Sequence, residues 1–395
     1  MLLSLLRPEA RLLFQAAGGP VNDSAIDHLL TQDLDWVEIC QLAEREKAAP
    51  IVWRRVKSVA ADRVPAGAEA HLRKLARVIQ FQMSYLEQLT TKSTAALDQA
   101  GIDYSLLKGA ALACGVYGSF IERPMVDLDI LVDQSQARHA VEALLSVGWL
   151  WQRGRPIEGD YSHMRHLPAL LDPNGLASVE VHTSLFPPAA PFDIATKAVL
   201  ESARTARFNG AMVRVPDPVH LLLHACIHFA WGHMFRQGAW RTFRDVQAIT
   251  TAYDIDWPRF IAETKRHGAQ TCCYWTFHLG RELMGVQIPA EVIRAMRPPL
   301  PAIALRVLER HLTMILVPSG TGCPSVSLRR AMWAGGILPR WSGHAAVRPW
   351  HLLLPEDRPS GEAQLASRRA AIARRSGREW MRYWSSVLMA SPQLR

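Results

Sequence analysis

The chain is short of three things: paired cysteines, long apolar runs and acidic charge. Its six cysteines are Cys40, Cys114, Cys226, Cys272, Cys273 and Cys323, and none forms a Cys-x-x-Cys pair. Adjacent Cys272 and Cys273 are poorly placed to chelate one ion together, so a cysteine-based zinc framework is excluded and reduced thiols of a cytoplasmic protein are expected. The apolar N-terminus, Met1 to Phe14, is interrupted by Arg7, Pro8, Glu9 and Arg11, too early for a secretory signal. No transmembrane segment is expected, since no run is long enough to span a bilayer. An amphipathic core helix is the commoner use of such a pattern, with an interfacial helix as the alternative. Repeats and long low-complexity tracts are absent too. Acidic residues number 36 against 45 basic ones, a formal charge of +9. That balance favours an anionic partner: a nucleotide, a phosphorylated substrate or nucleic acid.

What remains is an ordinary globular composition, 49% hydrophobic over 395 residues. That length predicts two or three structural units. The most informative stretch is Leu106-Leu107-Lys108-Gly109-Ala110, followed by Arg123-Pro124 and then Asp127-Leu128-Asp129-Ile130-Leu131-Val132. Tyr104 to Leu107 reads as a short buried strand that stops at a glycine before a helix-like segment, Ala110 to Tyr117. A second strand then opens with Asp127 and Asp129, which strand alternation would place on one face. Two adjacent carboxylates repel, and a divalent cation is the usual remedy. A glycine turn at a helix N-terminus can cradle phosphate on backbone N–H groups. Together these are the parts of a magnesium–nucleotide site.

Later, Ser178, Glu180, His182 and Ser184 share one face of a strand, and Val179 with Val181 the other. Leu167 to Leu171 reads as its neighbour, across a turn at Asp172-Pro173-Asn174-Gly175. Helices are expected over most of the rest. Leu72, Leu75, Ile79, Met83, Leu86 and Leu97 mark one long amphipathic helix. A hairpin is expected from Ala206 to Val215, turning at Asn209-Gly210. Asp217-Pro218 should cap a helix on which His220, His224 and His228 recur every four residues. Such a row suggests zinc, but only adjacent pairs can share an ion. A polar face toward a substrate cleft, or structural hydrogen bonding, competes with that reading.

The run from Leu106 to Val132 resembles the signature of a bacterial nucleotidyltransferase-like family, within the polymerase-beta-type superfamily. Asp35-Trp36, Leu42-Ala43, Ala49-Pro50 and the segment Trp240 to Val246 extend the resemblance. It implies an α+β fold with a small mixed-sheet core, 101–190, between an N-terminal helical region, 1–100, and a helical acceptor-side lobe, 191–317. Residues 318–395 would form an irregular linker and a basic C-terminal helix carrying Arg368, Arg369, Arg374, Arg375 and Arg378. The resemblance implies Asp127, Asp129 and Glu180 as ligands for Mg2+ or Mn2+, and Lys108, Gly109, Ala110 and Arg123 as the triphosphate-binding group. Asp245 would be the base acting on the acceptor, with His182, His224 and His228 on the substrate side. Ala110 departs from the family, where a serine is usual. The implied activity transfers a nucleoside monophosphate from an NTP, with ATP the first choice, to a hydroxyl or phosphate of a small molecule or peptide in a biosynthetic pathway. The alternatives are a binding protein that kept the fold, or a transferase acting on RNA or a phosphorylated peptide.

Overall fold

The computed structural model describes residues 2–18, 22–151, 159–161, 164–188, 190–236 and 238–317, with Trp333, Gly336 and Ile337. The basic tail, the Pro318 to Gly322 loop and most of the Pro- and Trp-rich segment after it lie outside the described residues.

Five helices precede the sheet: α1 (Pro8–Ala17), α2 (Asp23–Leu30), α3 (Trp36–Arg45), α4 (Ala49–Ala60) and α5 (Ala66–Gln99). Asp35 caps α3 by accepting from the Val37 and Glu38 amides. Helix α5 buries Leu72, Ala76, Ile79, Met83 and Leu86 along one stripe. Each such leucine or isoleucine contributes roughly 1.5–3 kcal/mol of burial. Toward its end the stripe becomes hydroxylic: Thr90, Ser93 and Thr94 are buried and donate to carbonyls one turn back.

The core alternates β1 (Tyr104–Leu106), α6 (Lys108–Leu112), β2 (Leu128–Val132), α7 (Ala137–Ser146), β3 (Leu170–Leu171) and β4 (Ser178–His182). A π-helical turn, Ala113–Tyr117, continues α6. The strands lie in the order β1-β2-β4-β3, with β2 parallel to β4 and the outer pairs antiparallel. Val179 and Val181 face the core, both essentially inaccessible. The turn into β4 is held by Asp172, which accepts from the Asn174 and Ala177 amides and from the Tyr85 hydroxyl on α5.

Beyond the sheet come α8 (Thr196–Glu201) and the hairpin β5 (Arg204–Phe208) and β6 (Ala211–Val215), which turns at Asn209-Gly210 with both residues at positive φ. Then follow α9 (Pro218–Ile227), α10 (Ala239–Ala252), α11 (Trp257–Arg266), α12 (Gln270–Met284), α13 (Ala290–Ala295) and α14 (Ala302–Ile315). Another π-helical turn, His228–Gly232, continues α9. Phe243 on α10 meets Phe14 of α1 at 6.1 Å and Phe229 at 5.5 Å. The first and last helical regions therefore share one apolar core around the sheet. The fold is α+β: a small mixed sheet embedded between helices.

Candidate active site

The glycine turn follows β1 directly. The Leu107 amide donates to the Asp129 carbonyl at 2.9 Å, and the chain then swings into α6 through Lys108 at φ +47°. Non-glycine residues rarely adopt that left-handed conformation. Gly109 is required by crowding: a Cβ there would stand 2.9 Å from Met125 Cβ and 3.4 Å from Arg123 Nη1. Among the described residues the amides of Lys108, Gly109 and Ala110 have no acceptor, and no side chain caps the helix. They present the partial positive charge of a helix start. Ala110 is buried and brings no hydroxyl.

Parallel pairing of β2 and β4 sets Asp129 opposite Glu180 and Leu131 opposite His182. Ligand atoms of Asp129, Glu180 and His182 lie within 4.8 Å of one another. His182 Nε2 is 2.7 Å from Asp129 Oδ1 and 3.3 Å from Glu180 Oε2. His166, bridged to His182 across the backbone, places Nε2 3.6 Å from the same Glu180 oxygen. The paired part of β2 begins at Leu128, so Asp127 sits one residue before the ladder. Asp127 is outside the compact group but within its field. Burial, then the Asp129 charge, pushes its carboxyl up to about 6. Burial would also raise Asp129, but the Lys108 ammonium and the His182 hydrogen bond outweigh it and hold Asp129 well below the usual range. The Lys108 ammonium sits 2.5 Å from Asp129 Oδ1. For Glu180 too, burial is outweighed, chiefly by hydrogen bonding to His182, and the carboxyl is lowered. Two carboxylates and an imidazole, with a third carboxylate alongside, suit a divalent cation. His182 Nδ1 is buried without a partner among the described residues.

Around this group stand cations. Arg123 donates through Nε to both oxygens of Asp245, at 2.7 and 2.8 Å, and the Tyr117 hydroxyl donates to Asp245 at 3.0 Å. A buried carboxylate gripped on both oxygens by a guanidinium is placed to hold Arg123 beside Gly109. Asp245→Ala should therefore cost about 3–5 kcal/mol, because it strands a buried charge. Denaturant unfolding measures this; a loss under about 1 kcal/mol would mean the pair contributes little, like an exposed one. Arg241 lies close behind. Burial and the neighbouring Arg123 charge lower its guanidinium to about 10. Lys47, from the loop after α3, donates to the Met125 carbonyl at 3.4 Å. Its ammonium is lowered by burial and then by Arg241.

The histidine row of α9 divides. His220 is taken up structurally by Asp217, the helix cap, and by Ser202. His224 and His228 face the site. The His224 ring meets Phe186 at 5.5 Å and His228 at 5.8 Å, and the His228 ring meets His233 at 4.5 Å. Burial, then the Lys108 charge, lowers His224 to about 3. Burial, then His233, drives His228 well below its ordinary value. Both are neutral at pH 7. Among the described residues these histidines join no metal-ligating group.

The structure thus brings together Lys108, Gly109, Asp127, Asp129, Glu180, His182 and His224, and adds residues that carry no sequence motif: Lys47, Tyr117, His166, His233 and Arg165, whose carbonyl accepts from the Thr183 and Ser184 amides just past β4. Arg241 stood in a segment of noted resemblance without an assigned role. No helix among the described residues is long and apolar enough to cross a membrane. No curated protein matches the chain. One family model matches residues 32–285, which spans the N-terminal helices from Gln32 on, the whole sheet and α9 to α12. By that match the chain belongs to a family described as uncharacterised nucleotidyltransferases.

Proposed function

We propose that this protein is a metal-dependent nucleotidyltransferase that transfers a nucleoside monophosphate from an NTP, ATP first among them, to an oxygen of a small-molecule or peptide acceptor. The observation that carries this reading is the pairing of Asp129 with Glu180 across parallel strands, directly beside the glycine turn. An acceptor oxygen would attack the α-phosphorus, the bond to the bridging oxygen would break, and pyrophosphate would leave. In such transfers a protein contributes mainly position and charge. A bound magnesium or manganese ion would supply charge neutralisation at the reacting oxygens. Asp129, Glu180 and His182, with Asp127 at the entrance, would hold it. The Gly109 and Ala110 amides would cradle the triphosphate together with Lys108 and Arg123, the latter fixed in place by Asp245. Neutral His224 and His228 would orient the acceptor by hydrogen bonding. Cytoplasmic placement is part of the same proposal and rests on the free, buried thiols of Cys40, Cys114, Cys226, Cys272 and Cys273.

A second reading, a nucleotide-binding protein without turnover, draws on Ala110 and on the Lys108 ammonium resting against Asp129. Pyrophosphate release separates it from an enzyme. The nucleotide site itself is tested by thermal unfolding. Magnesium with a nucleoside triphosphate at a hundred times its dissociation constant should add about 2.7 kcal/mol of stability. Nucleotide without metal should add less, because the carboxylates repel bare phosphate. Equal stabilisation with and without the ion would sink the site as drawn.

A further inference from the structure

We infer that His166 is a further ligand of the cation held at Asp129, Glu180 and His182, and that this second imidazole makes the resident ion a transition-metal dication in preference to magnesium. The inference rests on the metal-dependent reading of the site and narrows the identity of its ion.

His166 is held against β4 from both sides. The Arg165 carbonyl before it accepts from the Thr183 and Ser184 amides, at 3.0 and 3.2 Å, and the Leu167 amide after it donates to the Val181 carbonyl at 2.9 Å. A backbone bridge sets His166 opposite His182. Their rings lie 5.0 Å apart and are tilted by 51°, so they do not stack. Instead the two Nε2 atoms converge on one oxygen: Glu180 Oε2 is 3.6 Å from His166 and 3.3 Å from His182.

The tautomer of His166 follows from its partner. Nδ1 lies 2.7 Å from the Leu167 carbonyl, which can only accept, so Nδ1 carries the hydrogen. In the neutral ring Nε2 then carries the lone pair. At 3.6 Å it makes no hydrogen bond to Glu180. Two electron-pair donors face each other there, an arrangement that a cation turns from repulsive to bonding. A ring N–H spent on a backbone carbonyl, with the other nitrogen turned to a carboxylate, is how metal-ligating histidines are oriented.

The spacing agrees. Metal bonds of about 2.1 Å at a tetrahedral angle hold neighbouring ligand atoms about 3.4 Å apart. Glu180 Oε2 stands close to that distance from both imidazoles. His182 Nε2, which donates to Asp129 Oδ1 at 2.7 Å, would give up that hydrogen and part slightly from the oxygen on ligation. Exposure supplies a way in. The Asp129 and His182 side chains, 2% and 0% exposed, form the floor, and those of Glu180 and His166, 19% and 18% exposed, form the lip. Magnesium favours oxygen ligands and retained water, whereas imidazole suits the later first-row dications. Two carboxylates joined by two imidazoles therefore tilt the site away from magnesium.

Calorimetry on the full chain tests this, with Co2+ and Mg2+ as separate probes and no nucleotide. Co2+ should bind at least about tenfold more tightly than Mg2+. His166→Gln should weaken Co2+ binding by about ten- to a hundredfold and leave Mg2+ binding within about twofold. A purely structural role for His166 would move both ions together; that result, or no effect on either ion, overturns the inference. Pulsed EPR of Mn2+ bound to the unmodified chain needs no variant. Nitrogen couplings from two imidazoles are expected, and couplings from one or none overturn the inference even where His166→Gln fails to fold. A non-hydrolysable NTP analogue, added to the metal-loaded chain, tests the parent reading by itself. If the analogue fails to bind while Co2+ binds in a His166-dependent way, nucleotidyl transfer fails and the metal centre stands.

Discussion

Asp129→Asn should reduce nucleotidyl transfer by about 10⁴-fold or more, the scale seen when a central charge-stabilising group is lost from a phosphoryl-transfer site. The substitution keeps size and shape and removes the charge on which Lys108, His182 and the proposed ion converge. Asp127→Asn should also abolish transfer, but the two variants should differ in stability when no metal is present. Asp127 has its carboxyl raised to about 6 in the folded chain. Its ionised form is therefore penalised by folding, and the stability it contributes below the unfolded carboxyl range is lost as pH rises through 6. Removing that carboxylate should stabilise the fold above pH 6 by up to on the order of 2–3 kcal/mol and so raise the melting temperature there. Asp129 is shifted the other way, held ionised by Lys108 and His182. Its contribution is present at neutral pH and lost only in strong acid, so Asp129→Asn should lower the melting temperature. Measurement in chelator separates the two. Near-native turnover in either variant would refute the assignment of the metal ligands.

Glu180→Gln and His182→Asn should part company in the same assay. Glu180 is half-buried and points its carboxylate at the space shared with Asp129. As a metal ligand, its loss should cut turnover by several orders of magnitude, about 10³–10⁵-fold, with nucleotide affinity nearly unchanged. Asp127 and Asp129 remain to hold the ion that arrives with the triphosphate. His182 is fully buried and its Nε2 orients Asp129. His182→Asn should cost less, about 10²–10⁴-fold, the range of a single positioned group, because the three carboxylates that carry the ion's counter-charge remain. Manganese, with its looser demands on oxygen ligands, should partly restore Glu180→Gln and leave His182→Asn unchanged. An active Glu180→Gln beside an inactive His182→Asn would transfer the central role to the histidine.

Sequence reasoning reached the parts whose physics is local. The glycine turn, the Asp-x-Asp run and the Glu-x-His strand are short, and β1 and β2 stand within a residue of where their residues predicted, while β4 starts at Ser178 as expected and ends at His182, short of Ser184. The Asn209-Gly210 hairpin and the Asp217 cap were likewise written in the chain. Boundaries failed where tertiary contacts decide them. Strand β3 shrank to Leu170–Leu171, because Leu167 pairs with Val181 outside the regular ladder. Of the helical structure expected between the sheet and the hairpin, only the short α8, Thr196–Glu201, forms. Asp245 was found by position, while nothing in its segment reveals that Arg123, 122 positions earlier, closes on it. Lys47, Arg165 and His166 had no local signal at all. A lone basic residue in a loop reads as surface until the fold supplies its neighbours.

The parallel pairing of β2 with β4 has a topological consequence. Asp129 and His182 stand 53 positions apart in the chain, yet their strands are direct neighbours in the sheet. An ion gripped by both would close that segment into a ring, as a disulfide does. In the chain-entropy account a ring of this size is worth about 4 kcal/mol, drawn from the unfolded ensemble and not from contacts in the fold. The cation would then be a fastener as well as a participant in chemistry. It would secure the crossover through α7 and β3, which the small sheet by itself holds with only short ladders.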